Sequence, residues 1–351
     1  MPPMEPVIDH AQTADGVAIA WASHGQGPPL IHLPGVPFSN LVAEWRIPAL
    51  RRAFLALADD VRLIQFDGRG TGHSQRDVDD VSLDAMLRDL ESVIDAAGLD
   101  RFTLLGFYHS VTAAIAYAAR HPDRVSSLVL YGGAARGWGP MSGPGTQALL
   151  SLIERDWDTF VESIAHAWLG WGIDAEQGRL SADWFRTAVT PEIARATLRS
   201  ASAIDVTAEL ARVRCPALVL HRRDAEVIPL AMSEELVAGL PDARLTVLEG
   251  RSASLFFEDT DAVVREIIEF VVGPRRDRVG RRPTTIANPG LTPREIDVLR
   301  LIATGESNAS IAADLGLSVH TVERHVANLY RKIDARGRAD ATAFAIRRGI
   351  A

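Results

Sequence analysis

The residues with the clearest capacity for chemistry lie close to the C-terminus, on a stretch with strong helical periodicity. Between positions 319 and 333, Val322, Val326, Leu329 and Ile333 recur at i, i+4, i+7 and i+11 and make one apolar stripe. The opposite face carries His320, Glu323, Arg324, Ala327, Asn328 and Arg331. From Pro274 onward fourteen basic residues stand against eight acidic ones, a surplus of six. The whole chain of 351 residues has a formal charge of −8, so the part before Pro274 carries −14. A small basic segment behind a large acidic body suits a module that binds a polyanion. The bias toward arginine carries less weight, because Lys332 is the only lysine in the chain. Elsewhere, Asp67-Gly68-Arg69-Gly70-Thr71-Gly72-His73-Ser74 follows an apolar run, and its glycines allow a tight turn beneath a following helix. The single cysteine, Cys215, excludes an internal disulfide and a cysteine-rich zinc site and fits a reducing cytoplasm. Neither a metal nor a cofactor is expected.

Residues 16 to 272 alternate strand-like apolar runs, such as those at 17–21, 29–33, 61–66 and 102–105, with amphipathic helical stretches at 83–97, 113–120, 233–240 and 261–271. Further strand-like runs fall at 127–131, 217–221 and 245–248. This alternation predicts an α/β fold around a mostly parallel sheet. Residues from about 140 to 205 break it with helical patterning and hold or adjoin five of the seven tryptophans. From Gly273 the pattern gives way to Arg, Pro, Gly and Thr, the composition of an exposed linker. The expected organisation is a large domain over 1–272, a linker over 273–287 and an all-α domain over 288–351. No apolar run reaches the roughly 20 residues of a membrane span. The N-terminus lacks a signal-peptide pattern, so a cytoplasmic location is expected.

Asp67–Ser74, with Leu104-Leu105-Gly106, His121-Pro122-Asp123-Arg124-Val125 and Cys215-Pro216-Ala217-Leu218-Val219-Leu220, resembles the α/β-hydrolase family over about residues 14–272. That resemblance makes 140–205 a helical cap over a pocket. It also implies a nucleophile on a G-x-S-x-G elbow, followed along the chain by an acid and a histidine. Here the elbow reads Gly106-Phe107-Tyr108-His109-Ser110, with tyrosine where the nucleophile belongs. Ser110 is the alternative, disfavoured because its flanking Tyr108 and Thr112 are bulky for so tight a turn. Ala225 stands at the acid's place, beside Asp224, and Ala253 at the histidine's; no histidine occurs between His221 and His320. These substitutions lead to the expectation that the domain is not an enzyme. An unrelated histidine such as His32 or His109 serving a different reaction is the competing reading. The expected ligand pocket comprises Gly35, Val36, Tyr108, His109, Ala225 and Ala253, and holds a small apolar acyl, ester or lactone-type molecule.

In the last sixty residues Thr292, Pro293 and Glu295 form a helix start, a second helix spans about 308–315 to Gly316, and Ser318 opens the third. A helix, a short Gly-containing turn and a second helix make a helix-turn-helix. The segment 288–351 resembles the LuxR-type (GerE/NarL) DNA-binding domain through Leu291-Thr292-Pro293-Arg294-Glu295, Ser307-Asn308, Ile311-Ala312, Leu315, Thr321-Val322, His325-Val326 and Arg331-Lys332. The resemblance implies that Glu323, Arg324 and Ala327 face base edges. His320, Thr321, Asn328, Arg331 and Lys332 are then placed for phosphates. Expected partners are double-stranded DNA at an inverted repeat, a small-molecule effector and a second copy of the chain, with RNA polymerase as a further one. The leading expectation is a transcriptional regulator with a ligand-sensing hydrolase fold. An active hydrolase with an accessory DNA-binding tail, and a ligand-independent regulator using the fold as a dimerisation scaffold, are the alternatives.

Overall fold

The computed structural model describes residues 5–137, 144–169, 175–225, 229–273, 291, 293–303, 305–315, 317–333, 335 and 337–347. The chain divides into two compact units, residues 1–275 and 276–351.

In the first unit eight strands form one sheet in the order β1-β2-β4-β3-β5-β6-β7-β8. These are β1 (Asp9–Gln12), β2 (Ala18–His24), β3 (Pro29–His32), β4 (Arg62–Phe66), β5 (Phe102–Phe107), β6 (Val125–Tyr131), β7 (Ala217–Arg222) and β8 (Ala243–Leu248). The first two pair antiparallel at one edge, and β3 to β8 run parallel. The runs of Leu, Val and Ile in β5, β6 and β7 follow from burial on both faces, since helices cover a parallel sheet from either side. On one face lie α1 (Leu41–Arg46), α2 (Pro48–Ala58) and α11 (Thr260–Val272), packed through Trp45, Phe54, Val263 and Ile267. The other carries α3 (Leu83–Ala96), α4 (Ser110–Arg120) and α10 (Leu230–Gly239), packed through Val93, Ile115, Tyr117 and Leu236. Caps set where two of these begin: Ala43 N donates to Asn40 Oδ1 at 3.0 Å, and Ala85 N to Ser82 Oγ at 3.2 Å.

Between β6 and β7 the chain forms α5 (Pro144–Leu150), α6 (Leu152–Arg155), α7 (Trp157–Leu169), α8 (Ala175–Ala188) and α9 (Pro191–Ala203). Phe160, Trp184 and Phe185 are buried in this layer, and Phe185 stacks on Phe38 with ring centroids 4.3 Å apart. That stack ties the helical layer to the loop after β3. Trp138 and Trp171, two of the aromatic residues singled out by sequence, lie outside the described residues.

The second unit contains α12 (Pro293–Ala303), α13 (Asn308–Leu315), α14 (Val319–Ile333) and α15 (Arg338–Arg347). Its core joins Val298, Leu299 and Ile302 of α12 to Ile311, Val322, Leu329, Ala341 and Ala345. Ser307 and Ser318 cap α13 and α14 by accepting from Ser310 N at 3.2 Å and Thr321 N at 3.1 Å. Thr292 and Gly316, expected to open the first helix and close the second, lie outside the described residues.

Candidate active site and nucleic-acid interface

The turn from β5 into α4 places the first chemically distinctive residue. Tyr108 has φ 53°, the left-handed region that non-glycine residues seldom occupy. A Cβ on Gly106 would meet Ser110 O at 3.0 Å and the Ala114 Cβ at 3.2 Å, so a small residue is what lets helix and strand approach here. Ser110 is the first residue of α4, and its hydroxyl closes the turn locally. It accepts from Phe107 N at 2.9 Å and donates to Phe107 O at 2.8 Å. The residue on the elbow is therefore Tyr108, and Ser110 is part of the turn's own bonding.

Tyr108 reaches across the site: its Oη donates to Ala253 O at 2.5 Å. Two positions 145 residues apart are thus in direct contact. Burial pushes the Tyr108 phenol well above its ordinary range, so it stays protonated at neutral pH. The loop after β8 is held by Arg222, whose buried guanidinium donates to Glu249 O at 2.7 Å, to Leu255 O at 3.0 Å and to Glu258 O. The Glu258 carboxylate accepts from Arg251 N at 2.9 Å and Ser252 N at 3.0 Å. A buried arginine and its carboxylate partner thus fix the loop carrying Ala253. Ala225 is half-buried beyond the end of β7, and its amide donates to Arg222 O at 3.2 Å.

Of the six residues expected to form one ligand pocket, three line a cavity, and those three divide between two. Gly35 and Val36 line a cavity of about 550 Å³ with Leu33, Phe66, Met86 and Ser110. The Arg69–Asp89 ion pair, 2.9 Å apart, forms part of its wall. Tyr108 lines a second cavity of about 380 Å³ together with His32, Glu44, Phe54, Phe107, Trp184 and Phe256. Phe107 reaches the neighbouring loop, since a Cβ on Gly35 would sit 3.2 Å from its ring. His109, Ala225 and Ala253 line neither cavity, although the Ala253 carbonyl holds Tyr108. The larger cavity meets the elbow at Ser110, the smaller one at Phe107 and Tyr108.

Two titratable side chains in that smaller cavity have unusual character. His32, at the end of β3, lies 5.1 Å from Phe107 in a stacked arrangement, with Phe54 at 5.6 Å and Phe256 at 6.2 Å. This apolar enclosure pushes its pKa down to about 4, so the ring is neutral near pH 7. Glu44, in α1, is pushed up to about 8 by burial and by the nearby Asp67 carboxylate, and so holds its proton at neutral pH. Asn40 N, at 3.3 Å from its Oε1, opposes that shift. Asp67 is itself held by Leu41 N at 2.9 Å and His73 N at 2.8 Å. Gly72, at φ 47°, makes room for it, because a Cβ there would lie 2.1 Å from Asp67 Oδ2. Sequence reasoning named His32 only as a competing histidine, singled out Trp184 only among the tryptophans of the helical segment, and missed Glu44. Their one sequence-level signal was type: a carboxylate and an indole on otherwise apolar faces. Among the described residues, no group of three or more His, Cys, Asp or Glu side chains could hold a metal ion.

In the second unit, His320, Glu323, Arg324, Ala327, Arg331 and Lys332 are exposed along α14, with Thr321 and Asn328 half-buried. His320 Nδ1 lies 3.7 Å from Glu323 Oε2, and Arg331 donates to Asn328 Oδ1. Arg324 has no ion-pair partner among the described residues, which leaves its guanidinium available to an anion or a base edge. Lys332 differs, for its Nζ lies 2.8 Å from Oε2 of Glu295, a buried residue of α12. That bond fixes the C-terminal end of α14 against α12.

A parallel-sheet domain with an elbow after β5 and a helical layer between β6 and β7, followed by a helix-turn-helix unit, defines a two-module class. The chain belongs to the α/β hydrolase fold family, whose model matches residues 28–260. Residues 289–345 match the bacterial regulatory proteins of the luxR family, so the second module is a LuxR-type DNA-binding domain. Among curated relatives, the putative carbamate hydrolase RutD of Caulobacter sp. (strain K31) is 28% identical over 231 residues, covering 62% of this chain and 83% of the relative. N-formylmaleamate deformylase of Pseudomonas putida is 28% identical over 260 residues, 71% of this chain and 91% of its own. Among solved structures, an esterase from Exiguobacterium antarcticum aligns with a TM-score of 0.68 at 20% identity, over 76% of this chain and all of its own. The expectation from Tyr108, Ala225 and Ala253 that the domain is not an enzyme is overturned by these relatives, which are hydrolases. Its physical weakness was to equate a family's usual triad with the only route to hydrolysis, when a fold leaves the choice of catalytic groups open. Among the described residues no helix is long and apolar enough to cross a membrane.

Proposed function

We propose that the chain is a DNA-binding transcriptional regulator whose N-terminal domain hydrolyses a small carbonyl compound (an ester, amide or carbamate) in the 380 Å³ cavity. The observation that carries this reading is the elbow. Tyr108 keeps the left-handed turn at the end of β5, beside a cavity whose wall includes Trp184 of the helical layer. A non-glycine residue held there costs on the order of 1–3 kcal/mol and persists where the surrounding structure enforces it, commonly at active sites. The carbamate hydrolase and the deformylase among the relatives are named for reactions at a carbonyl carbon bearing nitrogen, which supports the same reaction class here.

The groups in the cavity assign the roles. Tyr108 Oη is bonded to Ala253 O and stays protonated, so water is the nucleophile. His32 is the general base, and the protonated Glu44 is the general acid. As the water oxygen attacks the carbonyl carbon, one water proton passes to His32. The bond to the leaving oxygen or nitrogen breaks while Glu44 protonates that atom. The products are a carboxylic acid and an alcohol or amine from an ester or amide, and a carbamic acid and an alcohol or phenol from a carbamate; the proton on His32 returns to Glu44 through solvent. Phe54 of α2, Phe107 of β5 and Phe256 of the loop after β8 pack around His32, and Asp67 is the charged group acting on Glu44.

On the DNA side, a dimer binding an inverted repeat through α14, with the substrate as effector and RNA polymerase as a further partner, completes the reading for a cytoplasmic protein. The test is hydrolysis of phenyl acetate and phenyl carbamate by the full chain at pH 6. Turnover is expected in the wild type and is lost in His32→Gln at unchanged far-ultraviolet dichroism. No turnover of either compound between pH 4 and 9 would overturn the hydrolase half of this reading.

A further inference from the structure

Trp184 is a cap-layer residue only 7% exposed that lines the 380 Å³ cavity. Its Nε1–H is buried and has no hydrogen-bond partner among the described residues. An indole nitrogen can only donate, and a buried donor without an acceptor costs about 1–3 kcal/mol. Such a group in a cavity wall is satisfied when a ligand brings an acceptor. The rest of the wall narrows the ligand further. Phe54, Phe107 and Phe256 surround the His32 ring, and Phe54 meets Phe256 edge-on at 6.1 Å. Rings so arranged favour a flat π-surface, with about 0.5–1.5 kcal/mol per aromatic pair beyond area burial.

Charge decides what is excluded. Among the described residues neither arginine nor lysine lines this cavity, so none of them compensates an anion there. His32 is neutral and Glu44 protonated near neutral pH, which leaves no carboxylate to attract a cation either. An ion entering such a site would lose its hydration without a counter-charge.

We propose that this cavity takes an uncharged aryl or conjugated carbonyl compound, an aryl ester or amide in class, whose carbonyl oxygen accepts the Trp184 Nε1–H bond and whose ring lies against the aromatic wall that His32, Phe54, Phe107 and Phe256 make together. The assignment rests on the hydrolase reading above and names the substrate class of that same site. It also explains what the product does: hydrolysis yields a carboxylate, which the uncharged wall expels.

The test is calorimetric binding to the full chain at pH 6.5, with N-methylbenzamide, cyclohexanecarboxamide, propylbenzene and benzoate as probes. N-methylbenzamide is expected to bind most tightly. Loss of the ring (cyclohexanecarboxamide) or of the carbonyl (propylbenzene) should each weaken binding about tenfold, and benzoate should bind at least a hundredfold more weakly. Trp184→Phe keeps the bulk and removes the donor. It should weaken N-methylbenzamide about tenfold and leave propylbenzene within twofold. The wild-type comparison stands by itself if that variant does not fold. Benzoate binding as tightly as the amide, or propylbenzene matching it, overturns the proposal. So does a wild type that hydrolyses alkyl esters yet binds none of the aryl probes, and in that case the hydrolase reading survives. Conversely, the predicted ranking in a protein that turns over no ester or amide would sink the hydrolase reading and keep the ligand class.

Discussion

Replacing Glu44 by Gln should stabilise the N-terminal domain at neutral pH and leave it nearly unchanged in acid. Glu44 is buried with a folded-state pKa raised from 4.5 to about 8. A raised carboxyl pKa means that the folded state binds the proton more tightly than the unfolded chain. Its contribution to stability is therefore complete below about pH 4.5 and is lost progressively as pH climbs to about 8. At pH 7 the unfolded chain has released the proton over about two and a half pH units in which the folded protein keeps it. At about 1.36 kcal/mol per unit, the glutamate then costs on the order of 3 kcal/mol relative to a neutral isostere. Glutamine supplies that isostere and preserves an acceptor for Asn40 N. All seven tryptophans precede residue 185, so tryptophan fluorescence during urea unfolding of the full chain reports on this domain alone. The expected result is a variant more stable than wild type by about 2–5 kcal/mol at pH 7 and by under about 1 kcal/mol at pH 4.5. Equal differences at the two pH values would show that Glu44 is ionised in the folded state and would remove it as the acid.

Tyr108→Phe removes the bond to Ala253 O and should cost about 1–3 kcal/mol, read as a lower urea midpoint, because the buried carbonyl loses its donor. Lys332→Met deprives the buried Glu295 carboxylate of its ammonium. It should destabilise the C-terminal module by about 1–3 kcal/mol, less than a fully buried pair because Lys332 is one-third exposed. Faster amide exchange in α12 and α14, with the salt dependence of DNA binding unchanged, checks that outcome. Arg324→Ala should cost about 1–3 kcal/mol on a specific duplex and little on a scrambled one, measured by titration at two salt concentrations. Equal losses on both duplexes would place this side chain on the phosphates instead.

The central parallel strands β5, β6 and β7 could be read from sequence because they are buried on both faces and so appear as largely apolar runs. β1 was not, since only Ala11 of its four residues is buried and an exposed edge leaves no such pattern. The elbow could be read from Gly106 and the following helix. What Tyr108 does with its hydroxyl could not, because its partner is a backbone carbonyl 145 residues away. The ligand pocket was drawn as one set from Gly35 to Ala253, and the structure places Gly35 and Val36 on one cavity, Tyr108 on another and His109, Ala225 and Ala253 on neither. Phe107 lines the second and its ring comes up against Gly35 of the first, a contact that spacing along a chain does not encode. Glu44 lay hidden for a related reason: a glutamate on a helix reads as a solvated charge, and only its packing near Asp67 makes it a neutral acid. The polar face of α14 was visible in its periodicity, but the pairing of Lys332 with Glu295 depends on how α12 packs beside it.

The measurement that bears hardest on the hydrolase domain is the pH dependence of kcat/KM for methyl benzoate, whose methanol leaving group needs a proton. With His32 as base and Glu44 as acid, the rate should rise through a limb near pH 4 and fall through one near pH 8. The profile should persist in Ser110→Ala, and His32→Gln should lower the rate at least a hundredfold. Turnover that vanishes in Ser110→Ala, or that keeps rising beyond pH 9 as with a simple hydroxide reaction, would contradict the account.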